Sequence, residues 1–93
     1  MEKRIEFYMT AGIATDMDSD ISFASEIGSI IHQFINDDWG TLCKEDCESN
    51  EQALHHGGRI LAAYPTSLGR MYIITDDTTA ERLVTTVLFA DEY

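Results

Sequence analysis

The spacing of apolar residues changes period at Gly57-Gly58, and this switch makes the chain mainly helical before that point and mainly strands after it. Upstream, Ile21, Ala24, Ile27, Ile30, Ile31, Phe34 and Ile35 recur at three- and four-residue intervals and predict a helix of about four turns. Ser19 or Asp20 caps its start, and Asp16, Asp18 and Asp20 suit the positive end of its dipole. The polar stretch 41–52 reads as a short helical turn followed by a second helix over 50–56. Ser49 and Gln52 form a capping-box pair there, and Gly57-Gly58 is the left-handed stop.

Downstream the period is two. Residues 59–64 (RILAAY), 71–75 (MYIIT) and 83–89 (LVTTVLF) read as three strands joined by turn-rich segments, hence an antiparallel meander. One earlier strand is predicted over 5–10 (IEFYMT), ended by Ala11-Gly12. The expectation is a single α+β domain over 1–93, of two layers and order β-α-α-β-β-β. Its antiparallel sheet is covered on one face by helices, and the first strand joins an edge or the middle of the meander. In the last strand both faces carry apolar residues, which points to a dimer or partner contact on the outer face.

Charge narrows the function. The chain holds seventeen acidic and six basic residues, a net charge of −11. From Asp16 to Glu51 there are ten carboxylates and one cation, Lys44, so that stretch alone carries −9. Six cations cannot neutralise a run of phosphates, and direct contact with DNA or RNA is not expected. A surface this negative favours a basic partner. Asp37 and Asp38 stand at the negative end of the long helix, where carboxylates destabilise, beside Trp39, an aromatic of the kind that anchors interfaces. The candidate partner-binding set is therefore Asp37, Asp38, Trp39, Glu45, Asp46, Glu48 and Glu51. Trp39 reads either as an interface anchor or as a lid on the core.

Other constellations are weaker. Asp16, Asp18 and Asp20 alternate like the opening of a calcium loop, but Ile21 and Ile27 occupy the glycine and glutamate positions. Cys43, Cys47, His55 and His56 are four potential zinc ligands whose adjacent histidines diverge on a helix. A Cys47–His55 or Cys47–His56 nucleophile pair spans more than two helical turns. No catalytic residue, metal or cofactor is expected; a small Cys/His metal protein or enzyme is the last alternative. With no apolar run near ~18 residues and Glu6 interrupting the first apolar run, no membrane span or secretory signal is expected, and the predicted location is cytoplasmic with free thiols.

Several blocks carry a resemblance: Asp38-Trp39-Gly40, Glu45-Asp46, Asn50-Glu51, Ala53-Leu54, the run GRILAAY over 58–64, Ile73-Ile74-Thr75, the run TTVLF over 85–89, and the ending Asp91-Glu92-Tyr93. Over 8–93 the chain resembles a family of short proteins from bacterial plasmids, conjugative elements and prophages, usually described as plasmid-related. It departs at Thr41, where an acidic residue is expected, in a longer turn over 76–82, and at Ala90 in place of proline. The resemblance implies a mobile-element setting, not a site. Small acidic proteins of such elements include anti-CRISPR proteins and anti-restriction DNA mimics. The expectation is therefore an inhibitor of a host nucleic-acid-targeting defence complex that occupies a basic surface. The alternative is an accessory or regulatory protein acting through homodimerisation by the outer sheet face.

Overall fold

A computed structural model describes residues 4–93. The elements are β1 (Arg4–Met9), α1 (Ala11–Ser19), α2 (Ile21–Ile35), α3 (Lys44–His56), β2 (Ile60–Thr66), β3 (Gly69–Thr75), β4 (Arg82–Phe89) and a closing 3-10 turn, Ala90–Glu92. The class is α+β, with helices packed against a four-stranded sheet of order β1-β4-β3-β2. The β2-β3-β4 meander is antiparallel, but β1 lies parallel to β4. The sheet is therefore mixed rather than purely antiparallel, and β1 takes an edge.

The long helix forms where the apolar period placed it, with its buried face rotated. Phe23, Ile27, Ile30 and Phe34 face the sheet, whereas Ile21 is 89% exposed. The i, i+4, i+7, i+11 spacing of those four makes one continuous stripe. Asp20 caps the helix, its carboxylate accepting from the Phe23 amide at 3.1 Å.

α1 is absent from the sequence expectation. It begins where Ala11-Gly12 was read as a strand end, and Thr10 caps it. Its core-facing side is two residues long: Ile13 is fully buried and Met17, one turn on, is partly covered, too short a stripe to register as periodic. Asp16 and Asp18 consequently lie in its last turn, and only Asp20 serves the start of α2.

α3 is one helix, not a turn plus a short helix. It starts at Lys44, so Ser49 and Gln52 lie inside it and form no capping box. Its start was hidden because only Asn50 and Ala53 are buried, while Glu45 and Asp46 favour the first turn through the dipole. Gly57, with φ 87°, ends it as expected.

The core is formed between α2, α1 and the inner sheet residues, including Tyr64, Met71, Ile73 and Val87. Both edges of the sheet are treated differently. On β2, Asn50 of α3 donates to the Leu61 carbonyl at 2.9 Å and accepts from the Leu61 amide at 3.2 Å. Two residues on, the Ala63 amide donates to the Trp39 carbonyl at 3.2 Å, and the Thr41 amide donates to the Ala63 carbonyl at 2.8 Å. A side chain and a loop thus occupy the groups an edge strand leaves open. Pro65 fits because β2 is an edge strand that needs no ladder donor there. At the other edge, Glu6 of β1 clamps Arg82 of β4 through two hydrogen bonds.

Two outcomes follow. Asn50→Ala leaves two partly buried β2 backbone groups without these partners and is expected to lower the unfolding free energy by about 1–3 kcal/mol, read by chemical denaturation. The Arg82 guanidinium and the Tyr8 hydroxyl hold the Glu6 carboxyl down to about 2 from 4.5. A depressed carboxylate stabilises the fold at higher pH, so this contribution is fully present above about 4.5 and is lost as pH falls toward about 2. Glu6→Gln is expected to flatten the loss of stability across that window.

Candidate partner-binding surface

The corner after α2 is built by the Asp37, Asp38, Trp39, Gly40 run. Asp37 adopts φ 61°, the left-handed conformation usually given to glycine at this point. Its amide donates to the Phe34 carbonyl at 3.1 Å and the Asp38 amide to the Gln33 carbonyl at 2.9 Å. Together these are the two bonds of a Schellman ending, with aspartate in the glycine position.

Asp38 has a fold role that answers its unfavourable place near the dipole. One carboxylate oxygen accepts from the Gln33 amide group at 2.9 Å and the other from the Gly40 backbone amide at 3.1 Å. These bonds, Gln33 first, hold its carboxyl below the usual range. Its backbone carbonyl accepts from the Tyr64 hydroxyl at 2.6 Å. Burial, and secondarily the Asp38 charge, push the Tyr64 phenol above its usual range.

Trp39 is not a surface anchor. It is 5% exposed, packs edge-on against Phe34 at 5.7 Å, and its indole N–H donates to Glu51 at 3.3 Å. The expectation of an exposed anchor is corrected to a core residue whose only polar atom reaches the surface. Gly40 makes this insertion feasible: its φ is 78°, and a Cβ there would meet the Ala63 carbonyl oxygen at 1.9 Å.

Glu51 is the residue that joins this corner to α3. On that helix Glu45, Glu48 and Glu51 recur at three-residue spacing and are all exposed. Asp46 lies on the flank, where it lines a shallow depression with Asn50, Arg59 and Leu61. Lys44 approaches Glu48 at 3.9 Å with both side chains largely exposed, a weak pair. The remaining acidic residues of the 16–51 stretch are elsewhere: Asp16 and Asp18 on α1, Asp20 as a cap, and Glu26 holding the Ser67 amide in the β2–β3 turn. The −9 stretch therefore divides, and the corner with α3 is the larger exposed part.

Arg4, Arg70 and Arg82 are sorted away from it, which sequence reading missed, whereas Arg59 borders it in the depression that Asp46 lines. Arg4 pairs in register with Arg82, and Glu6 with Val84, on the face that no helix covers, and Arg70 stacks over Tyr72 on the same face at 5.6 Å. Arg59 lies over Tyr93, whose ring meets Tyr72 at 5.7 Å. Strand alternation contains the signal, since Arg70 and Tyr72 share one parity and Met71, Ile73 and Thr75 the core-facing one, with Ile74 buried on the arginine side at the strand's far end.

Cys43, Cys47, His55 and His56 are not brought together. The cysteines stand at the start of α3 and the histidines at its end, with roughly 12 Å of helical rise between Cys47 and His55. Among the described residues no group of three or more His, Cys, Asp or Glu is placed to hold a metal. No described helix is long and apolar enough to cross a membrane. Comparison with family models, curated proteins and solved structures gives no match.

Asp37→Gly is expected to raise the unfolding free energy by about 1 kcal/mol, because glycine carries no penalty at positive φ and a charge leaves the negative end of α2. Thermal and denaturant melts check it; a destabilised variant would show that the aspartate side chain itself supports the turn.

Proposed function

We propose that this chain is a small non-enzymatic binding protein that occupies a basic surface of a nucleic-acid-handling protein, acting as an inhibitor of a host defence complex in the cytoplasm. The observation that carries the reading is the sorting of charge. Asp37, Glu45, Asp46, Glu48 and Glu51 are exposed on one corner and one helix, while Arg4, Arg70 and Arg82 belong to the uncovered sheet face. A predominantly negative surface of this kind accelerates encounter with a cationic partner and repels nucleic acid itself. The resemblance to plasmid-related proteins supplies the mobile-element setting. Trp39 has no contact role in this reading; it holds the corner in shape.

Association with DNA-interference complexes purified from a host is expected to weaken steeply between low and moderate salt. Glu45→Lys with Glu48→Lys should slow association about tenfold, while Arg70→Ala leaves it unchanged. Surface plasmon resonance at several salt concentrations decides it. Salt-independent binding, or binding indifferent to the reversal, removes the charge-led reading.

A second reading, a regulatory protein acting through homodimerisation, is favoured by the helix-free sheet face, where Tyr8 is 50% and Val84 39% exposed. Analytical sedimentation tests it, and a strict monomer at high concentration eliminates it.

A further inference from the structure

Where α2 and α3 both end, the inner face of the sheet stays partly uncovered. A cleft of about 210 Å³ opens there, floored by Phe34, Trp39, Ile60 and Thr75, each no more than 6% exposed. Its rim is Ile5, Ile35, Leu54, Leu83 and Asp37. Three of the rim residues are large apolar groups left in solvent, at 36%, 53% and 41% for Ile5, Ile35 and Leu54. Ile5 and Leu83 are register partners, so the cleft crosses the β1–β4 pair at the end of the sheet where both helices stop.

The electrostatics of this cleft select a cation. Ile35 and Asp37 place the C-terminal end of α2 at the rim, and Leu54 belongs to the last turn of α3, so two helix carbonyl ends meet there. His55 and His56 lie in the last turn of α3 and His32 in that of α2, and among the described residues Asp37 is the one charged residue in the lining of the cleft. Asp37 itself stands in a backbone conformation that glycine would occupy more easily, and residues held so are frequent at binding sites.

We propose that this cleft is a socket for an apolar side chain carried beside a lysine or arginine on the partner's surface, with Asp37 receiving the cation. The proposal rests on the charge-led reading above and replaces the projecting aromatic anchor with a receiving pocket. An apolar hollow with one convergent charge is the usual form of such a site.

Phenethylammonium is a suitable probe, with 2-phenylethanol and phenylacetate as its neutral and anionic counterparts. Methyl resonances of Ile5, Ile35, Leu54 and Leu83 are expected to shift saturably with the ammonium, less with the alcohol and least with the carboxylate. Asp37→Asn should lower ammonium affinity about three- to fivefold, the scale of one exposed ion pair, while leaving the alcohol unchanged. Leu54→Trp should fill the cleft and abolish binding; Ile35→Trp is the second plugging variant should the first unfold. No saturable shift, or equal affinity for alcohol and ammonium, overturns the proposal. The probe needs no macromolecular partner: probe binding alongside salt-independent association sinks only the charge-led reading, and salt-steep association without probe binding sinks only the socket.

Discussion

The backbone of Trp39 and Thr41 lying against Ala63 is the contact on which the rest of the molecule depends. It fixes where the chain turns after α2, and so where α3 can lie. It also closes one edge of the sheet, with Asn50 completing the job two residues away at Leu61. An unpaired edge is a template for unwanted strand addition, and this fold covers it without a fifth strand. The condition is narrow: Gly40 must pass so close to Ala63 that no side chain fits.

Around that contact the polar groups interlock. Asp38 accepts from Gln33 and Gly40 through its carboxylate and from Tyr64 through its carbonyl, while Trp39 hands its indole hydrogen to Glu51. A helix end, a loop, a strand and a second helix are thereby tied through four adjacent bonds. The acidic residues that look like a charged surface in one dimension thus divide into two kinds. Asp38 and Glu51, though exposed, also hold the corner together, and Asp37, Glu45, Asp46 and Glu48 are only presented by it. Binding and architecture share the same few residues, because the turn that buries the tryptophan also exposes its neighbours.

Charge sorting has the same origin. Strand alternation gives the sheet a face for the core and a face for water, and the arginines take the second. Helices cover the first face and carry the carboxylates on their outer sides. The carboxylates of the corner and α3 therefore lie apart from Arg4, Arg70 and Arg82, while Lys44 and Arg59 border them and Glu6 pairs with Arg82 on the sheet face.

Apolar spacing alone determined the long helix, the three-strand meander, the glycine stop after α3 and the α+β class, since each rests on local periodicity or on one residue's backbone freedom. α1 and the true start of α3 were illegible because their buried faces are two residues each, Ile13 with Met17 and Asn50 with Ala53. The parallel partner of β1, the burial of Trp39 and the cleft beside Asp37 were decided only by tertiary structure. Each depends on segments far apart in the chain meeting: β1 with β4, residues 39–41 with β2, and the ends of two helices over one end of the sheet. Charge density could be counted along the sequence, but which carboxylates bond inward and which face water follows from that packing.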